Sequence, residues 1–111
     1  MSILRLGSTE SGPIDCRYIQ TVDLEITNHG WEPFDMLVQG YRSDGLFYVS
    51  LIHADPGQIV PVHGIMTNYT PFELVLVTNI NVADYTAAVF MMKDRGNLIA
   101  VYTQNDADRF S

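Results

Sequence analysis

The run Thr21-Val22-Asp23-Leu24-Glu25-Ile26-Thr27 decides the fold class. Val22, Leu24 and Ile26 fall on one side of an extended chain, and Thr21, Asp23, Glu25 and Thr27 fall on the other. A strand turns successive side chains to opposite faces, whereas a helix would wind these apolar residues around its axis. The run therefore reads as a half-buried strand. Asn28-His29-Gly30 follows as the turn that ends it, because Asn and Gly tolerate the backbone angles a turn requires.

The same period continues outward. Phe34 to Arg42 is a strand with Phe34, Met36 and Val38 on one face, and Arg42-Ser43-Asp44-Gly45 is a tight hairpin turn. Leu46 to Ala54 is apolar on both faces, which places it centrally or at a subunit contact. Asp55-Pro56-Gly57 is a second turn. Gln58 to Met66 contains Pro61, which cannot donate to a ladder, so this strand belongs at an edge or carries a bulge. Asn68-Tyr69-Thr70-Pro71 is a loop, Phe72 to Asn79 a strand, and residues 81–84 a loop. Tyr85 to Lys93 and Leu98 to Gln104 are strands around the turn Lys93-Asp94-Arg95-Gly96-Asn97. Ile3, Leu4 and Leu6 make a short strand in an otherwise turn-rich leader.

Turn signals at this spacing predict an all-β chain, an antiparallel β-sandwich or jelly roll of about eight strands with an N-terminal extended arm. Its expected parts are a connector arm over 1–17, a core over 18–104 that folds without the arm, and a polar tail over 105–111. Val, Ile and Thr number 10, 9 and 8, and their stiff side chains suit a sheet.

The 111 residues suffice for one domain. A formal charge of −7, with Lys93 the single lysine, argues against nucleic acid and anionic membranes as partners. No apolar run reaches the roughly 18 residues of a membrane span, so no membrane insertion is expected. The opening MSILRLGSTESG carries no signal-peptide pattern. Charged residues are 17% and hydrophobic ones 47%, against roughly 25% charged in an ordinary soluble domain. The chain is expected to carry more apolar surface than a lone monomer hides.

Candidate chemistry is sparse. Cys16, the single cysteine, excludes an intramolecular disulfide and leaves a buried thiol or an intermolecular crosslink. His53, Asp55 and His63 could be drawn together if residues 55–57 close a hairpin. The closely spaced histidines of small β-barrel metal enzymes are missing, so these read as hydrogen-bonded or exposed strand-end groups, and no metal or cofactor is assigned. Asp23 and Glu25 share a strand face, where like charges would raise one pKa; the reading is a solvated face. Asp94, Asp106 and Asp108 lack calcium-loop spacing. No Gly-x-Ser-x-Gly elbow or phosphate loop occurs, so the chain is not expected to be an enzyme. Trp31 and Tyr69 are the loop aromatics that a sugar- or peptide-binding module would use.

Two stretches carry a resemblance. Thr86 to Tyr102, TAAVFMMKDRGNLIAVY, runs strand, Lys-Asp, Gly-Asn turn, strand, and Tyr18 to Met66 runs strand, turn, strand, Asp-Pro-Gly, strand. In layout the chain resembles small β-sandwich proteins of the spore surface in Gram-positive spore formers, and the subunits of endospore appendages. The resemblance implies a self-assembling structural subunit at an extracellular or spore surface. It implies that the arm of one copy inserts into the next, with Ile3, Leu4 and Leu6 in the groove and Cys16 available for a crosslink. A spore-surface anchor protein would be a further partner. The alternatives are a carbohydrate- or peptide-binding β-sandwich module and a viral or phage jelly-roll structural protein.

Overall fold

The computed structural model describes residues 2–10, 12–80 and 86–110. Among them lie nine strands: β1 (Ser2–Gly7), β2 (Thr21–Asn28), β3 (Phe34–Arg42), β4 (Gly45–Ala54), β5 (Ile59–Met66), β6 (Glu73–Thr78), β7 (Thr86–Asp94), β8 (Asn97–Thr103) and β9 (Asp108–Phe110). Single 3-10 turns stand at Cys16–Tyr18 and Gln104–Asp106. The expected loop at 81–84 and Tyr85 lie outside the described residues. No described helix is long and apolar enough to cross a membrane.

The strands form two antiparallel sheets, a five-stranded one ordered β4-β3-β6-β1-β9 and a four-stranded one ordered β5-β2-β7-β8. The alternation explains how they pack. Val22, Leu24 and Ile26 of β2 and Ala88, Phe90 and Met92 of β7 point inward and are buried. They meet Phe34, Met36 and Val38 of β3, Leu74 and Leu76 of β6, and Leu4 and Leu6 of β1. Each large side chain in this layer contributes about 1.5–3 kcal/mol by leaving water. The all-β sandwich is therefore as expected.

Three placements differ from the sequence reading. The leader is not an extended arm within this chain. Residues 2–7 form β1, which pairs with β6 from Ser2↔Thr78 to Gly7↔Glu73 and with β9 from Ile3↔Phe110 to Arg5↔Asp108. Ile14, Cys16 and Ile19 then pack over the core. The tail is likewise not separate, since Thr103 and Asp106 form a capping box that leads into β9. With β1 and β9 filling the far side of the sheet, β4 is left as an edge strand and not a central one. Strand β7, whose sequence TAAVFMM is apolar along most of its length, lies inside its sheet between β2 and β8.

The turns account for the connections. Arg42 pairs with Gly45 across a two-residue loop, and Asp94 pairs with Asn97 across Arg95 and Gly96, both at positive φ. Along β3 and β4 the register slips by one residue between Gly40 and Tyr41. The Phe47 ring occupies the space above Gly40, where a Cβ would come within 2.9 Å of it. The Asp55-Pro56-Gly57 turn is no hairpin, because it carries the chain from one sheet to the other. Strand β5 is an edge, as Pro61 requires, and its register with β2 shifts between Val22 and Leu24. Gly64 at that bulge has φ +76°, a conformation open to glycine.

Candidate functional site

The bulge positions the first cluster. Asp23 points to the outer side of β2, yet its side chain is only 11% exposed. The Gly64 amide donates to Asp23 Oδ1 at 2.8 Å, Lys93 Nζ lies 2.7 Å from Oδ2, and His63 Nδ1 lies 3.5 Å from Oδ2. Burial pushes the carboxyl pKa up, but Lys93 and the Gly64 amide outweigh it, so the pKa lies below the ordinary carboxylate value. This corrects the solvated-face reading for Asp23, which is enclosed, whereas Glu25 is exposed as that reading has it. The nearest charge to Asp23 is a lysine from β7.

The sign of the pH effect follows. A carboxyl whose pKa is depressed by folding stabilises the fold above its unfolded value near 3.9, and that contribution fades as pH falls through the folded value. Asp23→Asn is expected to cost about 1.5–3 kcal/mol at neutral pH, the range for hydrogen bonds to charged groups. Urea unfolding of both chains at several pH values checks this. The difference between them should shrink on acidification.

The second cluster lies at the far end of β4. His53 Nδ1 is 2.7 Å from Asp35 Oδ1 of β3, and His53 Nε2 is 3.0 Å from Asp55 Oδ1 of the crossing turn. The imidazole pKa is raised, first by the hydrogen bond to Asp35 and then by that to Asp55. His63 is not part of this cluster, because it lies farther along β5 at the bulge, beside Asp23. Among the described residues no group of three His, Cys, Asp or Glu converges in a way that could hold a metal ion.

The remaining candidates separate. Cys16 is fully buried, and burial, with Asp15 and Glu10 nearby, pushes its thiol pKa up. Within this fold the thiol is enclosed, so an intermolecular disulfide would require the segment after β1 to lift. Trp31, 79% exposed, lies in the loop from β2 to β3. Tyr69 lies in the loop from β5 to β6, where its hydroxyl donates to Asp94 at the start of the β7–β8 turn. The registers Phe34↔Ala54 and Thr21↔Lys93 put these loops at opposite ends of the sandwich. Trp31 and Tyr69 therefore do not form one aromatic platform. A groove of about 390 Å³ beside β8, with Tyr18, Asp94 and Tyr102 in its wall, includes neither ring.

What the outer surface does hold is apolar strand. Leu51, Leu37, Val77 and Ile3 stand in register across β4, β3, β6 and β1 on the outer face of the five-stranded sheet. Leu51 is 72% exposed and the other three are half-buried. Val49 and Leu46 of β4 are exposed as well, as are Leu98, Ile99 and Val101 of β8.

The four sheet edges are unequal. Strand β5 is interrupted by Pro61 and the Gly64 bulge, and β9 spans three residues. Strand β4 offers ten residues whose one ionisable group near neutral pH is His53, and β8 offers seven with no charged side chain. The short 55–58 connection keeps β4 beside β5, and the short 104–107 connection keeps β8 beside β9. Each flank of the sandwich thus presents one guarded edge and one open edge. The chain matches no family model, no curated protein and no solved structure.

Proposed function

We propose that this chain is a structural subunit that assembles with copies of itself into an extracellular fibre or spore-surface layer. The observation that carries the reading is the pair of open edges on opposite flanks. A long edge strand with little or no charge is a template for another strand, and proteins that stay monomeric guard such edges with proline, charge or a bulge. Here two edges are guarded and two are not. A contact that joins one flank of a copy to the opposite flank of the next does not close on itself unless the rotation happens to complete a ring, and it propagates into a filament. Added strands would gain backbone ladder hydrogen bonds and cover Leu51, Val49 and Val101.

Insertion of the leading segment into a neighbour is the other route to the same assembly. Since β1 fills its own sheet, that route takes the form of strand exchange: one copy's Ile3, Leu4 and Leu6 replace another's. Pairing through β4 and β8 needs no such departure.

The test uses Val49→Lys with Leu51→Lys in the full chain. Both side chains are exposed, so the fold should change by less than about 0.5 kcal/mol per site. Negative-stain microscopy and sedimentation should show polymers for the parent and folded single particles for the double variant. Polymers of unchanged length and abundance in the variant would remove β4 from the account. Arg5→Cys with Val75→Cys, oxidised to hold β1 to β6, separates the routes, because edge pairing survives the lock and strand exchange does not.

A further inference from the structure

We propose that His53 is a pH-operated lock on the corner where the chain crosses between the two sheets. Proton count decides the state of the ring. Each ring nitrogen of His53 lies within hydrogen-bond distance of a carboxylate oxygen, Asp35 on one side and Asp55 on the other. An ionised carboxylate only accepts, so both nitrogens must donate. A neutral imidazole carries one N–H, and only the imidazolium carries two. The arrangement therefore belongs to protonated His53.

The two carboxylates differ in how they are held. Asp35 is fixed in the β3 ladder, and its amide donates to Asn79 Oδ1 at 2.9 Å. Asp55 sits on the crossing turn, whose amide donates to Gln58 Oε1 while Gln58 N–H donates back to Asp55 O. Gly57 N–H donates to Asn28 O, and Asn28 N–H to Gln58 O, so the turn's inner side is tied to β2. His53 ties its outer side to β3. When the ring loses a proton, it can donate to one carboxylate only. The other then faces a lone pair, and the turn carboxylate, Asp55, is the one free to leave. Among the described residues, Glu32 and His29, in the loop after β2, are further titratable groups at this end of the sandwich.

The direction follows from linkage. Asp35 and Asp55 hold the folded-state pKa above the ordinary value of about 6.5. The tie is therefore complete below the unfolded value and is lost as pH rises through the folded one. This lock belongs to a single chain and does not depend on the self-assembly reading.

The test is an NMR titration of the full chain from about pH 5 to 9, through the window in which histidine changes charge. It follows the histidine ring protons and the Gly57 and Gln58 amides in the parent, Asp55→Asn and Asp35→Asn. The His53 midpoint should lie above the ordinary histidine value, and each substitution should lower it. The corner amides should show a step at the same midpoint, absent in Asp55→Asn. A His53 midpoint at the ordinary value that ignores both substitutions would overturn the proposal. So would corner amides with no step where the ring titrates.

Discussion

Deleting residues 1–7 is expected to unfold the protein, and Leu6→Ala alone to cost about 2–5 kcal/mol, the range for a buried leucine replaced by alanine. The reason is position. Strand β1 lies between β6 and β9, and Leu4 and Leu6 are buried among the inner side chains of both sheets. Its removal would strip β6 of a neighbour along six paired positions and leave β9 with nothing to pair with. A loss on the scale of the whole stability of a small domain, about 5–15 kcal/mol, follows. Urea unfolding of Leu6→Ala and circular dichroism of the truncated chain check this. A truncated chain with cooperative unfolding at the parent midpoint would return the leader to the status of a separate arm.

The second large effect belongs to Asn28, which is fully buried. Its Nδ2 donates to Glu32 O at 2.8 Å and Ala54 O at 3.0 Å, and its Oδ1 accepts from Gly30 N at 2.9 Å. One side chain thus joins the end of β2, the following loop and the end of β4. Asn28→Ala removes all three bonds and leaves the buried Ala54 carbonyl without this donor, at about 1–3 kcal/mol for a buried group left unsatisfied and about 0.5–1.5 kcal/mol for each of the other two bonds lost. A total of about 3 kcal/mol or more is expected by urea or thermal unfolding. Asn28→Asp should not restore it, because a carboxylate cannot donate to the two carbonyls. A loss under about 0.5 kcal/mol in Asn28→Ala would mean that water replaces the side chain at no cost.

The contrast between what was readable and what was not has a physical basis. Val22, Leu24 and Ile26 announce their strand because one face is buried and the other is not, and a period of two survives in the letters. Pro61 announces an edge because a missing N–H is a local property. Long-range placement is not local. Nothing in Ile3-Leu4-Arg5-Leu6 states that β6 and β9 will flank it, and Asn28 looks like any turn asparagine until the carbonyls of Glu32 and Ala54 are placed beside it.

The His53 cluster shows the same limit in register. Counting back from the Arg42–Gly45 pair without interruption puts Ile52 opposite Asp35. The extra residue at Phe47 shifts the register and puts His53 there instead. A one-residue slip exchanges the two faces of a strand, so the site exists only because of a bulge that the turn sequence does not disclose. The tail is a different case. Thr103 followed three positions later by Asp106 is a capping signature readable in advance.

Hydrogen exchange across a concentration series of the intact chain bears most directly on the claim that open edges on opposite flanks join copies together. Amides of β4 and β8 are expected to become protected as concentration rises, while those of β1 are protected from the most dilute sample onward. Edge amides that exchange at one rate throughout, in a particle that stays single by sedimentation, would contradict it.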